Sequence, residues 1–312
     1  IITANANILF MLFLGYYTGL LLGWSTTDSF FLGSMISMSS TTIIIKAFDD
    51  LNIKKQKFTD LVFGVLVIED LVGILLLVLL ALGNATFLVN GGELALSTFK
   101  LLSFLILCFV IGIYIVPTVL KKLTSFLNDE MLLLITVGMC FGMVWLATAS
   151  GFSSALGAFL MGSVLSETGL IVRIENVVRP LKDFFGAVFF VSVGMMVDPA
   201  MFVTYAGPIA VVTLIVVVGK VVFSCFGFVI SGQSLRTSTE CAFSLAQVGE
   251  FAFIIAALGM SLGVLDGQVY PVIVAVSVIT TFLTPVMIRS AGPVYRLIER
   301  KLPASWSRYI NK

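Results

Sequence analysis

The chain has 312 residues, of which 59% are hydrophobic and 11% charged, with a net charge of +1 and a mean hydropathy of +1.12. Soluble domains carry about 25% charged residues, so this much apolar surface does not fit a water-facing fold. With a net charge this near zero, nothing suggests a nucleic-acid-binding surface.

The apolar segments are helix-length, too long for barrel strands. A spanning helix satisfies its own backbone in lipid, so the expectation is an all-α polytopic membrane protein. Ten spans are expected, at about 7–24, 28–47, 57–83, 97–120, 130–148, 152–167, 171–197, 203–231, 237–261 and 268–289. The chain begins IITANANILF, with neither an initiator Met nor a signal-peptide pattern, and this points to a start inside a larger protein.

The second span carries SMSSTT, Ser37 to Thr42. These small polar residues pull hydrogen bonds from the backbone, and a helix broken there exposes carbonyls and hydroxyls to a cation. The third span contains VIEDLVGILL, with Glu69 and Asp70 as the sole charges between Asp60 and Glu93. An ionisable group at a membrane helix centre costs at least ~2.5–3.5 kcal/mol on insertion scales, so this pair is a candidate cation or proton site. Adjacent helix positions differ by about 100°, so each acid needs its own partner or cavity. The alternative is a pair of acids held by buried hydrogen bonds.

Further along, GFSSALGAFLMG places small residues at Gly151, Ala155, Ala158 and Gly162, a spacing suited to close helix packing. The segment 171–197 starts amphipathic, and Pro180 and Gly194 suggest a bend, with Lys182 and Asp183 near the interface. Lys220, in VVVGKVVFSC, lies too deep to snorkel and calls for an acid partner, Glu69 or Asp70. Gln247, Gly249 and Glu250 interrupt the ninth span in SLAQVGEFAFII. There Glu250 suits the N-termini of half-helices or a structural tie. Two interrupted spans in the two halves point to an inverted-repeat transporter with a midplane site.

Lys and Arg concentrate in KAFDDLNIKKQK, KKLTSFLNDE, the Arg173–Lys182 stretch, SGQSLRTSTE and RSAGPVYRLIERK. The alternate loops GNATFLVNGGE, TASGFSS, VDPAM and GMSLGVLDGQ hold none. This alternation puts both chain ends in the cytoplasm. The four cysteines lie in or beside apolar segments without a C-x-x-C and read as free packing thiols. With no histidine in the chain, mid-range proton handling falls to carboxylates or a shifted lysine.

LGWSTTDSFFLGSMISMSSTTIIIKAF, then FGVLVIEDLVGILLLVLL, GAFLMGSVLSET, PLKDFFGAVFFVSVGM and SLAQVGEFAFII together resemble the monovalent cation:proton antiporter superfamily. Within it the chain is most similar to Kef-type potassium–proton exchangers. The resemblance runs through the whole chain in order. It implies two inverted repeats, a core with two broken helices crossing at mid-membrane, a second domain supplying a homodimer interface, and an elevator-like movement. On this mapping, 1–83 and 198–291 are the core, 84–128 a linker helix, 129–197 the dimerisation scaffold and 292–312 a cytoplasmic tail. On the same mapping, the fold's N-terminal helices are expected to be missing from this sequence and to precede Ile1.

The family's essential aspartate falls on Asp70, its preceding position on Glu69, its first crossover on Ser39, Ser40, Thr41 and Thr42, and its lysine on Lys220. Glu250 matches the acid of the second broken helix, with Gln247 in support. Many Kef-type members carry Gln-Asp, and many sodium exchangers Asp-Asp, where this chain has Glu-Asp. That leaves K+ against Na+, the stoichiometry and electrogenicity open. Kef proteins often continue into a cytoplasmic nucleotide-binding regulatory domain, expected C-terminal to SRYINK. The implied location is a bacterial plasma membrane, with a role in pH homeostasis.

The implied mechanism is secondary antiport, in which a monovalent cation and a proton compete at Asp70, with crossover oxygens completing the shell. No enzyme activity and no cofactor beyond the transported K+ or Na+ and H+ is expected. A cation channel without obligatory proton coupling is the alternative, but nothing resembles a filter loop. An intramembrane aspartyl protease needs aspartates on separate helices and commonly G-x-G-D, which does not occur.

Overall fold

A computed structural model describes residues 1–82, 128–150, 154–195 and 199–301, with scattered positions between 99 and 122. The helices are α1 (Ile2–Leu21), α2 (Thr26–Ser37), α3 (Thr41–Asp50), α4 (Lys57–Leu82), α5 (Asp129–Ala149), α6 (Ser154–Ser166), α7 (Ile171–Met195), α8 (Pro199–Thr204), α9 (Ala206–Ile230), α10 (Leu235–Ser244), α11 (Phe251–Ser261) and α12 (Val269–Lys301). No strand occurs among the described residues. The scattered positions between 99 and 122 are helical, and the rest of the span expected at 97–120 lies outside the described residues.

Five helical stretches are long and apolar enough to cross a membrane among the described residues: Ile2–Leu21, Thr26–Asp50 counted across its break, Asp129–Ala149, Ala206–Ile230 and Val269–Arg300. On α9, Leu214, Val218, Val222, Phe226 and Ile230 recur every four residues and are all exposed. That stripe is a lipid-facing ridge, since four-residue spacing drifts only about 40° per step along the helix. The opposite face, with Val216, Gly219, Lys220, Ser224 and Gly227, is buried. The protein is an all-α polytopic membrane protein.

Two compact units divide the chain. The first comprises Ile1–Leu76 and Met195–Lys312. In it α1 packs on α2 and on α9. Phe10 stacks on Phe223 at 4.8 Å between ring centroids, and Thr3 Oγ1 meets Ser231 Oγ at 2.9 Å. Polar caps fix where its short helices start. Ser25 accepts from the Asp28 amide at 3.0 Å, and Ser234 accepts from the Thr237 amide at 3.2 Å. A core of Ile44, Phe48, Val62, Leu66, Cys241 and Leu245 joins α3, α4 and α10.

The second unit comprises Leu77–Gly194. Here α5 and α6 pack together. The close approach falls at Gly157, where an added Cβ would lie 2.7 Å from Met143 O and 2.7 Å from Val144 Cα. The expected small-residue stripe is therefore displaced: Gly162 meets nothing within 4 Å, and Gly151 lies outside the described residues. Gly157 sits five residues before Gly162, on a different helix face, and spacing alone does not select between them. Helix α7 continues through Pro180 to Met195, so the bend expected there does not interrupt it.

Candidate ion site at the crossing of two broken helices

Both interruptions read from the sequence are breaks in the structure. After α2, Met38 and Ser40 are extended, at φ −94°, ψ 138° and φ −92°, ψ 116°, before α3 resumes. Between α10 and α11 the chain leaves the helix from Leu245 to Glu250. The two unwound stretches cross and bond to each other. The Gly249 amide donates to Met38 O at 2.9 Å. Ser39 Oγ donates to Leu245 O at 3.3 Å, and Gln247 Nε2 donates to Ser40 O at 3.3 Å. Buried backbone groups freed by a broken helix need such partners. The approach is so close that a Cβ on residue 249 would stand 2.5 Å from Ser39 O, which only glycine permits.

Helix α4 runs alongside this crossing. Val62, Val65, Leu66, Glu69, Ile74 and Leu77 are buried along it, and Gly73 faces Met38 and Phe251. The two acids part as the helical angle requires. Glu69 is fully buried. Its Oε1 accepts from Asn7 Nδ2 at 2.9 Å, and its Oε2 from the Ser39 amide at 2.8 Å. Asp70 is half-buried, and its Oδ2 accepts from Thr41 Oγ1 at 3.3 Å. Glu250 is near enough to act electrostatically on Asp70. It in turn accepts from Thr42 Oγ1 at 3.1 Å and, through a short bond, from Ser40 Oγ.

The charges match the half-helix ends. Glu250 occupies the N-cap position of α11 and bonds to Ser40, the N-cap of α3. Asp70 bonds to Thr41, the first residue of α3. Helix N-termini carry a partial positive charge, which suits both acids. Lys220 lies on the opposite electrostatic side. Its Nζ donates to Ser39 Oγ at 2.8 Å, two residues beyond the C-terminus of α2, and the same hydroxyl bonds to Leu245 O just past α10. Helix C-termini carry partial negative charge and favour a cation.

Glu69, Asp70, Ser39, Ser40, Thr41, Thr42, Lys220, Gln247 and Glu250 are therefore all at the crossing or against it. One expectation changes. Lys220 makes no ion pair within 4 Å with an acid among the described residues. Instead Ser39 bridges it to Glu69, whose charge still acts on the lysine through space. Ser39 thus belongs with Glu69 and Lys220, while Thr41, Thr42 and Ser40 sit with Asp70 and Glu250. Sequence reading also passed over Asn7. Its signal was an amide, the second of Asn5 and Asn7, at the head of the apolar run of α1, which has no visible partner until α4 folds against it. No cluster of three or more His, Cys, Asp or Glu fit for a metal ion occurs among the described residues.

The family model described as the sodium/hydrogen exchanger transmembrane domain matches residues 1–291. The chain belongs to that family. It is 32% identical over 295 residues to the putative cation/proton antiporter YbaL of Escherichia coli, covering 91% of this chain and 52% of that protein. It is 29% identical over 284 residues to K(+) efflux antiporter 4 of Arabidopsis thaliana, covering 90% and 48%. With the K(+)/H(+) antiporter subunit KhtU of Bacillus subtilis it shares 28% identity over 290 residues, covering 92% and 70%. The chain spans about half the length of the first two relatives. The Kef-type resemblance read from the motifs is borne out, and a family of transporters leaves the protease reading without support.

Proposed function

We propose that the protein is a secondary antiporter that exchanges a monovalent cation for protons across the membrane. The observation that carries this reading is Asp70, half-buried beside the N-terminus of α3 with Glu250 close by. Two carboxylates at positive helix ends make a place for one added positive charge, which a cation or a proton fills in turn. Competition for Asp70 is then enough to couple the two fluxes. Oxygens at hand for a hard monovalent ion are the Asp70 carboxylate, the Thr41 and Thr42 hydroxyls and the crossing backbone. Lys220, Gln247 and Glu250 hold the crossing together around it. K+ is the favoured cargo, supported by the relatives named for K(+), and Na+ is the other candidate. A channel without proton coupling is less well supported, because a channel needs no titratable acid at the crossing.

In this reading, 1–83 and 198–291 form the moving core and 129–197 the scaffold that supplies a homodimer contact. Residues 84–128 link them, and 292–312 form the tail. The division of the chain into two units supports the grouping. The Lys and Arg pattern of the loops supports two cytoplasmic ends, and the likeness to antiporters of Escherichia coli and Bacillus subtilis supports a bacterial plasma membrane. The test uses the intact protein in liposomes holding an internal pH dye, with an imposed proton gradient and K+ or Na+ added separately. Dequenching by one cation establishes exchange and names the ion. Cation flux without proton movement would instead establish a channel.

A further inference from the structure

Around Glu69, about 100° from Asp70 on α4, lies a second polar cluster with a mismatch of donors and acceptors. Helices α1 and α9 are antiparallel, with Gly227 against Thr3 and Gly219 against Met11. Asn7 lies midway between Thr3 and Met11. Ser224 lies between Gly227 and Gly219, one turn from Lys220. The register therefore puts Asn7, Ser224 and Lys220 at neighbouring levels of one interface. All three, with Glu69, are 0% exposed.

Their hydrogen bonds do not close. Asn7 uses its Nδ2 on Glu69, but its Oδ1 has no partner. Ser224 Oγ has none either. Lys220 offers three N–H donors and spends one, on Ser39. Two orphan acceptors thus share an interface with two unspent donors, and none of them meets directly. Buried polar groups in this state are normally joined by internal water, which needs 2–4 polar partners and only ~10–15 Å³ of space.

We propose that the pocket bounded by Asn7, Glu69, Lys220 and Ser224 binds ordered water, which bonds the Lys220 ammonium to Asn7 Oδ1 and Ser224 Oγ. The crossing is then flanked by two polar compartments. A compartment around Asp70 opens at the crossing, and a closed hydrated compartment lies on the Glu69 side. This accounts for Lys220 resting on Ser39 rather than on a carboxylate, because water and one hydroxyl solvate its charge. The inference concerns hydration and stands whether or not the protein exchanges cations.

X-ray radiolytic labelling of the intact protein in liposomes, read by mass spectrometry, tests it, because hydroxyl radicals form at bound water. Met11 is fully buried and packs against Gly219, beside Lys220; Met35 is equally buried and serves as the dry control. Met11 should oxidise roughly fivefold or more faster than Met35 if water is lodged there. Ser224→Val fills the space and should bring Met11 down to the Met35 rate. Ser224→Ala gives a second readout. In a dry pocket, losing an orphan hydroxyl raises the melting temperature; in a hydrated one it lowers it, by about 2 °C. Equal labelling of Met11 and Met35, or a higher melting point for Ser224→Ala, overturns the proposal. Exchange measured on the same samples separates this outcome from failure of the antiport reading.

Discussion

Gly249→Ala is the sharpest probe of the crossing. The new Cβ would lie 2.5 Å from Ser39 O, 2.6 Å from Ser39 C and 3.0 Å from Ser40 N. All three are backbone atoms, so no side chain can swing aside. A carbon–oxygen contact relaxes near 3.3 Å, so the two stretches must part by about 0.8 Å. The Gly249–Met38 bond, now 2.9 Å, then passes beyond hydrogen-bonding range. Overpacking costs ~1–3 kcal/mol and a buried bond left open ~1–3 kcal/mol. The expected loss is about 3 kcal/mol, or roughly 6 °C in melting temperature at ~2 °C per kcal/mol for a chain of this size. Exchange in dye-loaded liposomes should fall roughly tenfold or more, because the ligands shift against Asp70 by nearly 1 Å. The control is Gly64→Ala in α4, where nothing lies within 4 Å and alanine favours the helix. If Gly249→Ala melts and transports like wild type, the crossing is not packed as described.

Asp70→Asn should abolish exchange with a melting temperature near wild type, since the side chain carries one long bond from Thr41; surviving coupled exchange would sink the assignment of Asp70. Glu69→Gln should still fold, because Asn7 can turn its Oδ1 from the bridging water to the new amide donor, but should melt about 6 °C or more below wild type, since buried Lys220 loses the carboxylate that acts on it. Asn7→Leu should remove that tolerance, and a double-mutant cycle should read a coupling of about 1 kcal/mol; strict additivity in melting would refute the Asn7–Glu69 contact. Asp28→Ala should cost ~1–2 kcal/mol of stability without changing exchange, since Asp28 accepts from the Asp266 amide at 3.0 Å and from Ser25 Oγ at 2.7 Å. A transport defect larger than the stability loss explains would count against a purely structural role.

The breaks were legible because polar residues inside apolar spans disturb the helix ladder whatever surrounds them. SMSSTT and AQVGE announce themselves on that ground alone, and Glu69, Asp70 and Lys220 do so through the cost of charge in lipid. Which residue faces which was not legible. That Ser39 serves Lys220 and Glu69, while Thr41 serves Asp70, depends on how the extended segment turns after Met38. Asn7 gains meaning only when α1 meets α4, and these lie more than sixty positions apart in the chain. The close contact at Gly157 rather than at Gly162 likewise depends on the rotation of α6 against α5, which residue spacing does not fix.

The bond from Gly249 to Met38 has a consequence for sidedness. It welds the two crossovers into one body, together with the Ser39 and Gln247 ties. On the proposed antiport reading, a body of this kind would present the same oxygens to an ion arriving from either face of the membrane. The intrinsic affinity of the cage is then a single number. Any difference between inward and outward behaviour must come from pH, voltage and the walls of the access route. On that reading, directionality would be a property of the gradients across the membrane, not of the cage itself.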